Sequence, residues 1–201
     1  MTEIAHVPRR LSAEDRRKQL IGIGLRMLTE RPIHQVTVDE VAAEAGISRS
    51  LLFHYFPTKQ EYYAEVVRAS SRRLLRALRH DPALDPDEAV RAALGGYARF
   101  ILRRREPYLS VFRGGNDWTR AIHDETRDAI AAVLLAALRT PAGGGPGLAV
   151  SAWLAFAEEL CLTWSGRAEA DAVELTELLA GSLRHLVAST SQVVSRSPRP
   201  R

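Results

Sequence analysis

Residues 37–59 read TVDEVAAEAGISRSLLFHYFPTK, and the order of caps and breaks in this stretch decides the fold. Thr37 and Glu40 form a T-x-x-E capping box. Val36 before the cap and Val41 after it are spaced for a hydrophobic staple. Val38, Val41, Ala42 and Ala45 then line one helical face, and Gly46 stands where a helix end tolerates positive φ. The pattern restarts at once. Ser48 caps a second short helix, Ile47 staples onto Leu52, and Pro57 interrupts it. Thr58 and Glu61 repeat the T-x-x-E box and open a longer helix to about Arg79. Helices of two turns are marginal alone. These two need a shared core, for which Val41, Ala45, Ile47, Leu52 and Phe56 are placed.

Upstream, a helix is expected from about Ala13 to Thr29. Ser12 and Asp15 form its start, and Leu20, Ile23, Gly24, Met27 and Leu28 its apolar face. Pro32 stops it. Two short helices around a Gly-centred turn, behind a longer helix, form a helix-turn-helix pattern. With Ile47, Leu52 and Phe56 turned inward, Arg49, Ser50 and Phe53 fall on the outer face. An arginine near the start of such a helix suits guanine O6 and N7 in a major groove. The helix starts at Thr37 and Ser48 offer free N–H groups to phosphates. Charge agrees with an anionic partner. Residues 1–80 carry 14 Lys/Arg against 9 Asp/Glu, a net of +5; residues 81–201 carry 14 against 15, a net of −1.

Downstream, Asp81-Pro82 and Asp85-Pro86 mark a boundary, and Asp85 and Pro86 open a helix to about Arg104. Pro107 starts a brief segment to about Arg113, followed by a turn at Gly114-Gly115-Asn116. Helices are expected at about 118–139, 148–166 and 170–188, with a flexible loop at 141–147. The segment from Leu148 to Trp164 is apolar almost all round and needs burial on several sides. The last helix carries Leu175, Leu178, Leu179, Leu183 and Leu186, with Gly181 permitting close approach. No segment alternates as a strand does. The expected fold is all-α. The expected division is an N-terminal arm at 1–12, a helix-turn-helix domain at 13–57, a connecting helix at 58–80, a second domain at 81–188 and a disordered tail at 189–201.

The same 37–59 stretch resembles the DNA-binding signature of TetR-family regulators. The matching residues are Thr37-Val38, Val41-Ala42, Ala45-Gly46-Ile47-Ser48, Leu52, Tyr55-Phe56 and Lys59. The resemblance implies a homodimeric repressor that binds double-stranded operator DNA and is released from it by a small-molecule effector. It implies that Thr37, Ser48, Tyr55 and Lys59 hold phosphates and that Arg49, Ser50 and Phe53 face the groove, with His54 beside them. Phe53 stands where the family often has Tyr, and Ser50 where Gly or Pro is common. The last two helices are implied to form the dimer interface through Leu175, Leu178, Leu179, Leu183 and Leu186. Tyr97, Phe100, Phe112, Trp118, Trp153, Phe156 and Trp164 are the candidate lining of an effector pocket, each also suited to plain core. Glu158 and Glu159 lie within the apolar helix, one expected exposed and the other facing a cavity.

Other classes find little support. A helical protein–protein adaptor would not need Arg49, Tyr55 and Lys59. A small helical enzyme would need a convergent polar set. The histidines show no H-E-x-x-H, no cysteine pair is available for metal, and Gly143-Gly144-Gly145 lacks the Lys-Ser/Thr of a phosphate loop. No catalytic residue, metal or cofactor is expected. The lone Cys161 fits a reducing cytoplasm, and no apolar run spans a membrane.

Overall fold

The computed structural model describes residues 11–104, 117–141, 144–167 and 170–196. Residues 1–10 of the expected N-terminal arm, the expected 107–113 segment with Phe112, and residues 197–201 lie outside them. Eight α-helices and one short 3-10 turn, Ile33–Gln35, make up the described residues, with no strand among them. The chain divides into two compact units, Met1–Ala69 and Ser70–Arg201.

The first unit holds α1 (Ala13–Glu30), α2 (Val38–Glu44), α3 (Arg49–Tyr55) and the first part of α4 (Lys59–Ala77). Each start is a side-chain cap. Ser12, Thr37, Ser48 and Thr58 accept from the N–H three residues on. At Thr37 the capping box closes in both directions. The end of α2 is a Schellman turn: Ile47 N–H donates to Ala42 O, Gly46 N–H donates to Ala43 O, and Gly46 has φ +65°. Leu20, Val41, Leu52 and Phe56 are essentially fully buried. Burying each such side chain is worth about 1.5–3 kcal/mol, which is what holds helices this short. Tyr62 on α4 donates its hydroxyl to Leu20 O at 2.9 Å. Gly24 lets α1 and α4 meet there, because a Cβ at that position would lie 2.4 Å from the Tyr62 hydroxyl.

The second unit holds the rest of α4 with α5 (Pro86–Arg103), α6 (Asp117–Ala137), α7 (Gly144–Trp164) and α8 (Ala172–Arg196). One apolar cluster runs through all five. Gly96 on α5 packs against the α4 backbone, and a Cβ there would meet Ala77 O at 1.7 Å. Thr126 and Ser71, both buried, face each other at 2.9 Å. Arg91 pairs with Glu177 and Arg184 with Asp87, tying α5 to α8.

Three expectations need correction. The loop at 141–147 is shorter than expected, because α7 begins at Gly144 and carries Pro146 in its first turn, where a missing N–H costs nothing. The disordered tail does not begin at 189: α8 continues to Arg196. No Gly or Pro interrupts that extension, and Thr190 and Ser191 return hydrogen bonds to Leu186 O and Val187 O. Finally, Leu175, Leu179 and Leu183 are wholly buried inside one chain, against α5 and α7. They are core residues, not interface residues. Of the expected interface set, Leu178 is exposed and Leu186 half-buried.

Candidate nucleic-acid interface

The outer face of α3 is built by subtraction. Leu52 and Phe56 face the core, which leaves Ser48, Arg49, Ser50 and His54 exposed and Phe53 and Tyr55 half-buried. Lys59, the first residue of α4, is exposed, and its ammonium sits 5.2 Å from the centre of the Tyr63 ring. Tyr63 is itself anchored, donating its hydroxyl to Val36 O. Burial pushes its phenol above the ordinary tyrosine value. Thr37 is exposed at the start of α2. The first unit therefore presents Thr37, Ser48, Arg49, Ser50, Phe53, His54, Tyr55 and Lys59 at or beside the α2 and α3 starts and the α3–α4 junction.

Thr37 and Ser48 differ in what they have left to offer. The Thr37 hydroxyl accepts from Glu40 N–H at 3.2 Å and donates to Glu40 Oε2 at 2.8 Å. The backbone N–H of Thr37 donates to the same carboxylate at 2.9 Å, and Arg31 approaches its other oxygen at 2.9 Å. These contacts, the Thr37 backbone bond first, draw the Glu40 carboxyl down to about 2. Thr37 thus spends its proton on the cap. Among the described residues Ser48 Oγ only accepts, from Leu51 N–H at 3.2 Å, which leaves its proton for an outside acceptor.

Several residues that steady this face are silent in the sequence. Arg17 of α1 donates to Tyr55 O and lies 4.3 Å from the Phe56 ring centre. Arg26 pairs with Glu44, and Arg16 reaches Ala45 O at 3.5 Å. Asp39 of α2 takes a hydrogen bond from Arg49 Nη1 at 2.7 Å. Nothing in the spacing of residues 38 apart announces the Arg17 contact, since only the packing of α1 on α3 creates it.

The expected pocket residues fare differently. Tyr97, Phe100, Trp153 and Trp164 are buried in the apolar cluster of the second unit, and Trp118 is half-buried. Phe156 is 48% exposed and does not belong with them. Its position on the outer side of α7 sends it to solvent, while Trp153 turns inward and donates Nε1–H to Ser182 Oγ at 2.9 Å. Glu158 is the half-buried carboxylate and Glu159 the exposed one; Glu158 lies 3.2 Å from His123 Nε2. Three surface clefts are lined by other residues. One of about 160 Å³ lies at Asp124, Arg127, Asp128 and Ser151. Two of about 410 Å³ share Arg79 and Val133. The Cys161 thiol is pushed up to about 12 by burial and, second, by Glu158, so it is no nucleophile at neutral pH. No group of His, Cys, Asp and Glu among the described residues is placed to hold a metal, and no described helix is long and apolar enough to cross a membrane.

A capped helix-turn-helix carrying an exposed arginine at the start of its second helix, followed by a separate all-helical unit, is the arrangement that the chain presents. Residues 20–66 match the bacterial regulatory proteins of the tetR family. The transcriptional activator FasR of Mycolicibacterium smegmatis is 29% identical over 111 residues, 54% of this chain and 50% of FasR. The chain thus matches about half the length of that relative. A tetR-family transcriptional regulator from Streptomyces coelicolor has the same fold, with a TM-score of 0.80 and 28% identity across 91% of this chain and 85% of that one. LfrR from Mycobacterium smegmatis, solved with proflavine, shares the fold alone, at TM-score 0.55 and 20% identity across 86% of this chain and 97% of that one. The chain is thus similar, at residues 20–66 and in its fold, to transcriptional regulators of the tetR family.

Proposed function

We propose that the protein is a homodimeric repressor that binds operator DNA in the cytoplasm through residues 13–57 and is released by a small-molecule effector bound in its second domain, residues 81–188. The observation that carries this reading is the exposed Arg49 at the start of α3, set between Ser48 and the Lys59 end of α4. Arg49, Ser50 and Phe53 are the groove-facing residues, with His54 beside them, and Ser48, Tyr55, Lys59 and Thr37 contact phosphates. Thr37 does so through its exposed position at the α2 start, its hydroxyl proton being engaged by Glu40.

Dimerisation is supported by the outer faces of α7 and α8. Leu148 and Phe156 on α7 and Val173 and Leu178 on α8 are large apolar side chains left exposed by one chain. Gly181, one turn beyond Leu178, has open space where a side chain would stand, which suits the close approach of a second backbone. A two-fold dimer sets two recognition helices at successive major grooves, about 34–36 Å apart. The buried aromatic residues Tyr97, Phe100, Trp153 and Trp164 supply an apolar environment for an effector. LfrR, a fold neighbour, holds proflavine.

A gel-shift with the duplex upstream of the protein's own gene tests DNA binding; a shift that competitor random DNA abolishes equally would sink the reading. Titrating candidate compounds with and without operator tests release. Linkage requires that DNA weaken the effector by the same factor that the effector weakens DNA, typically about 5–150-fold. FasR is an activator, so a reporter downstream of the operator decides the sign: repression predicts a rise in output when the chain is deleted.

A further inference from the structure

We propose that Asp39 is a specificity-determining residue of the DNA-reading face: it holds the Arg49 guanidinium in the orientation that reads a base, and its charge penalises duplexes that lack that base. This rests on the reading of α3 as the recognition helix. Asp39 lies in the first turn of α2 and Arg49 opens α3, so the two helix starts meet across the turn. Arg49 Nη1 donates to Asp39 Oδ2 at 2.7 Å. The Phe53 ring centre also lies 5.4 Å from the guanidinium carbon, within the range of a cation–π contact. The guanidinium is therefore held by two contacts, although the Arg49 side chain is 59% exposed and that of Asp39 58%.

The pair has little to do for folding. The first unit is closed by Leu20, Val41, Leu52 and Phe56, and the α2 start is already satisfied by the Thr37–Glu40 box. An exposed ion pair contributes little stability. Its effect is on orientation. A free arginine has a long, flexible stem, and reading guanine requires two donors aimed at O6 and N7 in one plane. A carboxylate on Nη1 leaves the Nε and Nη2 edge of the fork for that bidentate contact.

The carboxylate also sets a penalty. On a matching base, Arg49 serves the base and Asp39 together, and the pair stays neutral. On a mismatched base, Arg49 gains nothing at the base edge and turns to a phosphate. Asp39 then faces the phosphate backbone uncompensated, which is unfavourable. Phosphate contacts alone carry no sequence information, so an arginine freed from Asp39 would bind every sequence better and distinguish them less.

The test selects duplexes from a randomised library with the full chain as wild type, Asp39→Ala, Asp39→Asn and Arg49→Ala. Anisotropy on the selected and on a random duplex follows, with thermal melts to confirm folding. The wild type is expected to prefer one base at one position per half-site. Both Asp39 variants should lose about tenfold of that preference, bind the random duplex more tightly, and leave other positions unchanged. Adding Asp39→Ala to Arg49→Ala should change that position no further. Retention of the base preference by both Asp39 variants, or equal losses on both duplexes, would overturn the proposal while leaving α3 as the reading helix. A wild type that selects no sequence at all would overturn the recognition-helix reading as well.

Discussion

At the scale of single residues, Glu40 and Lys59 show how far local chemistry reaches. Glu40 is drawn from its ordinary value of 4.5 to about 2 by Thr37 and Arg31. A folded-state value below the unfolded one means the carboxylate supports α2 fully above about 4.5 and loses that support as pH falls toward about 2. The stability difference between wild type and Glu40→Gln should therefore be flat near neutral pH and shrink below pH 4.5 or so. Urea melts at a series of pH values check this, and a difference that grew on acidification would remove the depressed carboxylate. Lys59→Ala should weaken binding to all duplexes alike and flatten the dependence of log affinity on log salt by about one unit. Tyr55→Phe should weaken all duplexes alike without that change in slope. A change in base preference with an unchanged salt slope would take Lys59 off the phosphates.

At the scale of helices, three glycines that look alike in sequence have different duties. A Cβ added at Gly22 of α1 would meet nothing within 4 Å, one at Gly24 would meet Tyr62 and Val66, and one at Gly96 would meet the Ala77 carbonyl. Gly22→Ala should raise stability by up to about 1 kcal/mol, since alanine is the better helix former. Gly24→Ala should cost about 1–3 kcal/mol by overpacking. Gly96→Ala should cost more than Gly24→Ala, because peptide backbone cannot turn aside as a side chain can. Thermal melts of the three variants give the order, and equal effects would mean that the α1–α4 and α4–α5 contacts give way easily. The helix-turn-helix itself was legible from caps, staples and Gly46, because those signals are local and close within four residues. The extension of α8 to Arg196 was not, because polar residues in a tail and polar residues on a helix read alike.

At the scale of the whole molecule, the apolar stripe of α8 illustrates the same limit. Leu178 is 44% exposed and Leu179 wholly buried, although they are neighbours in sequence. Leu178→Arg should leave the chain folded and shift it toward monomer in sedimentation, since a charge placed in an apolar interface goes unpaired. Leu179→Arg should unfold the second unit, because the charge enters the core formed with α5 and α7. Sedimentation of a folded Leu178→Arg chain that remains dimeric at the wild-type concentration would place the interface elsewhere.

What the sequence determined by itself was the all-helical class, the helix-turn-helix and the face of α3 that carries Arg49. These follow from capping residues, breakers and the 3.6-residue period, all of which act between near neighbours. Only the tertiary structure decided which leucines of α8 are core and that Phe156 points outward. Only it decided that Arg17 braces Tyr55 and that Asp39 holds Arg49. Periodicity reports that a face is apolar without saying which helix covers it, and contacts between residues far apart in the chain exist only once the helices have packed.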